Sequence, residues 1–509
     1  MKKLFSALAD RRIRYITKGI VVGIFAGIVV SLFRLGVELI LEHMLNLYSF
    51  FHEQPLWLIP WVLVSIVTAI IIGLFVKSEP HIKGSGIPQV EGQVQGVIQV
   101  KWWPILWKKF ISGLLAIGSG LFLGREGPSI QLGASVGLGV SQLTHGDETE
   151  ENVLLSSGAG AGLAAAFNAP IAGLMFVLEE VHHNFSPVVA ITTFTSAIVA
   201  NFVSLTIFGL TPVLDIGPVL SLPLEYYIYL PILGIVLGFC GWFYNKVLLD
   251  VLPKFYQLFS FIPVYFNSVI PLLFLIPITF YLPELVGGGS GIVVNLPEWN
   301  LSLAILFGLF IFRFIFSMAS YGAHVPGGIF LPILSLGAII GALFAQLLVL
   351  YFQMEPLFVT HFILFAMAGY FTAIGKAPLT AILLVTEMVG GLNQLMPLAV
   401  VALIAYVTAD FLGSKPIYES LLEKLIPSST NVTLHKPYSF VHPVEPDSSL
   451  AGKSIKEVAW PKEMVITSLR RGSEYHVPHG ETLIHVGDHL VIACDLKSAG
   501  MVQQTLNEY

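Results

Sequence analysis

Charge is scarce in this chain of 509 residues: Asp, Glu, Lys and Arg make up 11% of it, against 55% for apolar residues. A soluble domain carries roughly 25% charged residues. A chain this poor in charge cannot coat its surface with polar groups, so its class is a polytopic membrane protein. Cysteine is scarcer still. Cys240 and Cys494 are the whole complement, which excludes a disulfide framework and a cysteine-based metal site. No HExxH stretch and no clustered metal ligands occur, so the chain is not expected to be an enzyme, and neither a metal nor a cofactor is expected. A net charge of −6 gives no purchase on nucleic acid.

Apolar sequence fills the chain up to about Leu425. Long runs lie at 20–41, 56–76, 187–209, 226–248, 262–282, 301–320 and 333–352. Others, at 110–123, 129–143, 152–167, 169–178 and 377–386, fall short of the ~20 residues a helix needs to cross a bilayer. Short segments broken by Gly and Pro mark discontinuous helices, which membranes tolerate only where the freed backbone is buried in protein or lines a cavity. The first long run lacks a small-residue cleavage site after it and is not expected to be a cleaved signal. Ahead of it, Lys2, Lys3, Arg11, Arg12, Arg14 and Lys18 face only Asp10. The positive-inside rule therefore puts segment 1–18 in the cytoplasm.

Beyond about Pro427 the composition changes: residues 436–509 hold sixteen charged side chains. Alternating polarity predicts strands at 464–469, 481–486 and 488–496, with RGSEYHVPHG and VGD as turns. Asp447 and Ser448 are placed to open a short helix, and 498–507 to close the chain with another. This is the pattern of a small soluble α+β module. Six histidines lie in it (435, 442, 476, 479, 485, 489), without metal-ligand spacing.

The membrane part repeats itself. GSGI at 84–87 recurs at 289–292, GREGPSIQLGASVG at 124–137 aligns with GIFLPILSLGAIIG at 328–341, and NAPIAGLMFVLEE at 168–180 aligns with KAPLTAILLVTEM at 376–388. Three collinear matches at nearly constant offset indicate a duplication, with halves of about 19–210 and 226–425. Whether the halves are inverted does not follow from the matches. The second alignment sets Arg125 against Ile329 and Glu126 against Phe330, so the backbone of this joint does not require a carboxylate. An acid at the membrane centre costs about 2.5–3.5 kcal/mol on insertion scales. One reading is that Arg125 neutralises Glu126 at a helix end. The other is that Glu126 meets a transported ion or proton.

The chemistry of the joints favours anions. GSGIP, GREGP and PGGIF each precede an apolar run, and helix N-termini leave N–H groups unpaired with partial positive charge. A carboxylate at such a point competes with a halide for the same N–H groups, and protonating it releases the site.

At these residues a resemblance emerges. GSGIP (84–88), GREGP (124–128), GLAAAFNAPIAGLMFVLEE (162–180), PGGIFLP (326–332) and GSKPIY (413–418) are similar to the signature stretches of the CLC family of chloride channels and proton-coupled chloride antiporters. The resemblance covers about 15–425. It implies an all-α, inverted-repeat fold of broken and tilted helices over 19–425, a homodimer with one pathway per subunit, and a bacterial inner or plasma membrane. Carried over by position, Ser85 resembles the serine facing the central anion and Tyr418 the tyrosine opposite it. Ile329 and Phe330 resemble the pair offering backbone N–H groups, with Arg125, Glu126 and Gly127 around the outer position. Glu126 matches the gating glutamate and Glu180 the inner proton-transfer glutamate, a position that is usually apolar in channels. The resemblance thus implies a proton/chloride antiporter, with a passive chloride channel as the alternative and a fluoride or nitrate exchanger more remote. Acids at a segment's end are cheap, and Glu387 occupies the position equivalent to Glu179. His182 and His183 follow at once, as proton relays or as surface residues. Gln89 stands where an acid is common, and GAHVPGGIF (322–330) carries two extra residues; neither is expected to touch the ligands. His324, in that insert, is expected to be a solvated loop histidine. The tail, through SSLAGKSIKEV, MVITSLRRG and ETLIHVGDHLVIACD, resembles the TrkA-C (RCK C-terminal) type. Over about 432–509 this implies a cytoplasmic, dimerising regulatory module with an unidentified small ligand, or a dimer-stabilising appendage without one.

Overall fold

The computed structural model describes residues 2–183, 185–214, 216–217, 221–391, 393–426, 437–444, 448–472, 474–495, 501–502 and 505–506. The chain divides into two compact units, Met1–Leu425 and Ile426–Tyr509.

The first unit is helical. Its first half runs α1 (Lys2–Glu53), α2 (Leu58–Ser78), α3 (Ile87–Val94), α4 (Trp102–Gly118), α5 (Glu126–Leu143), α6 (Glu148–Phe167), α7 (Pro170–Phe176) and α8 (Pro187–Phe208). Between α7 and α8 lies a π-type turn, Val177–Val181. The second half runs α9 (Tyr229–Lys246), α10 (Leu252–Gln257), α11 (Val269–Tyr281), α12 (Ser290–Asn295), α13 (Leu303–Gly322) and α14 (Phe330–Phe352). It ends with α15 (Val359–Gly375), α16 (Pro378–Val389), α17 (Leu395–Phe411) and α18 (Ile417–Leu425). Among the described residues, 8 helical stretches are long and apolar enough to cross a membrane. Sequence reading missed one of them, Pro356–Gly375. Its window is 83% buried, and its small and polar residues (Ala366, Ala368, Gly369, Thr372) suit packing against protein rather than lipid. The run at 262–282 opens with a 3₁₀ turn, Val264–Phe266, ahead of α11.

Burial sorts the helices into layers. In α5 and α15 nearly every residue is buried, whatever its helical phase, as befits helices surrounded by protein. Around them, α2, α8 and α13 expose Leu63, Phe202, Phe307 and Ile315 on their outer sides.

The halves are related by a pseudo-two-fold axis. Gly124 and Gly328, 204 positions apart, form an antiparallel bridge in which each N–H donates to the other's carbonyl at 2.7 Å. The Glu387 carboxylate accepts from the N–H groups of Ile171 and Ala172 at the start of α7 (3.1 and 2.7 Å). Its equivalent, Glu179, accepts from Leu379 and Thr380 at the start of α16, also at 3.1 and 2.7 Å. Reciprocal contacts of this kind are the mark of a two-fold relation. Helices α5 and α14, the equivalent helices of the two halves, both begin next to the Gly124–Gly328 bridge.

The second unit is a four-stranded antiparallel sheet in the order β1-β4-β2-β3, with β1 Pro437–Pro443, β2 Met464–Arg471, β3 Glu474–His476 and β4 His489–Asp495. Phe440 and Ile466 both register on Ile492, over a core that includes Leu450, Leu469, Ile484 and Leu490. Three expectations need correction. The segment 481–486 alternates in burial, yet its backbone pairs with the 452–456 turn (Ile455 N–H to Thr482 O, Ile484 N–H to Lys453 O, both 3.0 Å), not with the sheet. The stretch read as a turn supplies β3. And β1, bounded by prolines, does not look like a strand in sequence but takes an edge position, where a missing N–H is tolerated. Near Ser448 there is no α-helix among the described residues. A 3₁₀ turn, Ile455–Glu457, is held instead by a reciprocal Ser454–Glu457 capping box. Asp447, His435 and most of 498–507 lie outside the described residues; 501–502 and 505–506 are helical.

Candidate functional site

The three glycine-rich joints meet. Besides the Gly124–Gly328 bridge, Gly84 N–H donates to Val325 O and Gly327 N–H to Gly84 O, both at 3.0 Å. GSGIP therefore opens α3, GREGP opens α5 and PGGIF opens α14 from one point. Two glycines make this possible. Gly86 caps α3 at φ +91°, a conformation other residues seldom adopt. A Cβ on Gly127 would lie 2.7 Å from that of Ser85, so no other residue lets these joints touch.

Glu126 stands at this point, fully buried, and neither carboxylate oxygen has a well-aligned hydrogen-bond partner. The donors nearest to it are backbone N–H groups, its own and that of Leu331 in the first turn of α14. Those are groups a helix start leaves without an internal partner. The carboxyl thus occupies the place of an anion at a helix N-terminus. Arg125 acts on Glu126 through its charge alone, because its hydrogen bond goes elsewhere. Arg125 Nη1 bonds Glu38 Oε1 of α1 at 2.5 Å, and Arg34 Nε reaches the same oxygen at 3.2 Å. Two guanidinium groups share one carboxylate there, which leaves one positive charge in excess beside Glu126.

Ile329 caps α14, and Phe330 is its first residue. The Phe330 ring is packed between Phe371 (4.4 Å between centroids) and Phe167 (5.5 Å), themselves 204 positions apart. Ser85 is 1% exposed, and its Oγ accepts from Ile87 N–H at 3.3 Å. Tyr418 on α18 is fully buried with no partner for its hydroxyl. It lies within electrostatic reach of both Glu126 and Glu180. A cavity of about 530 Å³ opens at Ser85, lined by Lys83, Gln89, Tyr321, His324 and Lys424 among others. Gln89 and His324 line the same cavity as Ser85. The Tyr321 hydroxyl lies against Ser85.

Glu180 sits in the π-type turn, 4% exposed. That turn sends consecutive acids to different neighbours. Glu179 caps α16, whereas Glu180 faces inward toward Glu91 of α3 and Glu419 of α18.

Several residues escaped sequence reading. Lys109, fully buried, donates to Ile82 O and Gly84 O at 2.8 Å each. Its equivalent Arg313 donates to Leu285 O, Gly287 O and Gly288 O. Each buried cation takes up the carbonyls ahead of a helix start, so that the amides face the site. The offset of 204 that aligned the joints also pairs Lys109 with Arg313, and that signal was available. Glu38 and Arg34 carried no comparable signal, lying far from Arg125 in sequence.

Against known proteins, residues 67–410 match the family model described as voltage gated chloride channel, and 440–507 match the TrkA-C domain. The chain is 36% identical over 423 residues to the H(+)/Cl(-) exchange transporter ClcA of Vibrio parahaemolyticus, covering 80% of this chain and 88% of that one. It superposes on a slow cyanobacterial Cl-/H+ antiporter with a TM-score of 0.75 at 29% identity, over 82% of this chain and 99% of the other. A CLC-type fluoride/proton antiporter gives a TM-score of 0.65 at 20% identity, over 80% and 97% of the two chains, a likeness of fold alone.

Proposed function

Since this chain belongs to the voltage-gated chloride channel family, we propose that it is a proton-coupled chloride exchanger and not a passive channel. The observation that carries the reading is the Glu126 carboxyl, buried without an ion pair against the amides that begin α14. Ionised, it holds the anion position; protonated, it leaves, and chloride takes the N–H groups. Ser85 and Tyr418 supply hydroxyls to the central anion, the Ile329 and Phe330 amides line its route, and Arg125 and Gly127 flank the outer position.

A coupled exchanger needs a proton route apart from the anion path, and Glu180 is its inner station. Its burial next to Glu91 suits a group that changes protonation as it works, since burying a fixed charge there is costly. The termini are cytoplasmic, two copies associate with one pathway each, and 432–509 is a regulatory module. Chloride is the physiological anion, with bromide and nitrate permeant. Reversal potentials of the purified protein in liposomes, under combined chloride and pH gradients, test the reading. An exchanger's reversal potential shifts with the proton gradient, whereas a channel's ignores it. Glu126→Ala abolishes proton movement while anions still pass.

A further inference from the structure

The mechanism above leaves Glu180 buried and without a stated supply of protons. Beside it lies a second buried acid, Glu91 on α3, 1% exposed. Gln95 Nε2 donates to Glu91 Oε1 at 3.1 Å, and Glu91 Oε2 has no partner. The group that joins Glu91 to the outside is His183: its Nε2 lies 3.5 Å from Glu91 Oε1, and its side chain is 47% exposed. His183 lies two residues past the π-type turn and four residues before α8, a helix of membrane-spanning length, with its ring half exposed. The titratable groups around this path come from α3, α18, the π-type turn and the loop that follows it. Glu91 faces His183 and Glu419 of α18. Glu180 faces Glu91, Glu179 and Glu419. His182 is turned aside to Ser156 of α6, with Nε2 2.6 Å from its Oγ.

We propose that His183 is the proton entry of the exchanger, taking a proton from water and passing it through Glu91 to Glu180. In balance, hydronium protonates the imidazole, Nε2–H gives its proton to a Glu91 carboxylate oxygen, and the neutral ring is restored. Glu91 then gives the proton to the Glu180 carboxylate and becomes ionised again. The 3.5 Å separation closes by a small turn of an exposed ring. Histidine suits the task, because its ordinary titration range overlaps neutral pH. The two neighbouring histidines thus part in role: His182 is a packing residue and His183 the exchangeable one. The inference rests on Glu180 being the inner proton group.

The test is coupled proton flux in proteoliposomes as a function of pH, with chloride binding on the same samples as the check of folding. His183→Asn suits the site because asparagine tolerates its φ of +50°. The expected result is a fall in proton flux of about tenfold or more, with loss of the histidine-range inflection in the pH profile and recovery on adding free imidazole. Glu91→Gln gives the same loss without imidazole rescue, and the double variant is no slower than the slower single one. Wild-type flux and pH profile in His183→Asn would overturn the proposal, as would losses that multiply in the double variant. Glu180→Gln is run alongside: if it stays coupled, the parent reading fails, and if it uncouples while His183→Asn behaves as wild type, only this inference fails.

Discussion

The two halves of the membrane unit share a backbone and differ in chemistry. The first half puts Glu126 where the second has Phe330, and Glu180 where the second has Met388. The parts that hold the architecture keep their type: Gly124 and Gly328, Glu179 and Glu387, Lys109 and Arg313. Duplication supplied a symmetric frame of helix starts, and the proposed function rests on acids present in one copy alone. An acid that breaks an otherwise symmetric pattern is not maintaining the frame, since the other half builds the same frame without it.

Making the halves alike tests this. Glu180→Met gives the first half the residue of the second. Proton movement should vanish while chloride flux persists, as measured by pH-electrode and chloride-efflux traces on the same liposomes. A shared framework residue should behave the other way. Arg313→Met leaves three carbonyls without a donor and should lower stability by about 3 kcal/mol, read as a fall in melting temperature with coupling intact in the surviving protein. Lys109→Met, after which Gly84 O keeps the Gly327 N–H and only Ile82 O loses its donor, should cost less.

A smaller effect is expected in the soluble unit. Asp488 is buried there, its oxygens bonded by Arg471 Nε (2.8 Å) and Nη2 (2.7 Å) and by His485 N–H (2.8 Å). Burial pushes its carboxyl upward, but the Arg471 hydrogen bonds prevail and hold it below the usual carboxylate range. A lowered folded-state value contributes stability that is present above the unfolded value of about 3.9 and is lost as pH falls through the folded one. Asp488→Asn should therefore cost about 2 kcal/mol near neutral pH and next to nothing in strong acid, a difference that thermal melts at the two pH values would reveal.

Much of this was legible in the sequence, for reasons that can be named. Helix starts at Gly86, Arg125 and Ile329 announce themselves through local chemistry, and the repeat offset links them without any structure. Partnerships across the fold leave no such trace. Nothing near Arg125 in sequence points to Glu38, and nothing near His183 points to Glu91, because only tertiary packing brings those elements together. The strand at 437–443 was hidden by its flanking prolines, and 481–486 carried strand alternation but pairs with the 452–456 turn.

The central claim is that the Glu126 carboxylate and an anion contend for the same amides. Chloride titration by calorimetry, on the purified protein and on Glu126→Gln across a range of pH, tests it most directly. Wild-type affinity should rise as pH falls and the carboxylate gives up the site, while Glu126→Gln should bind chloride with an affinity independent of pH. The same pH dependence in both proteins would contradict the account.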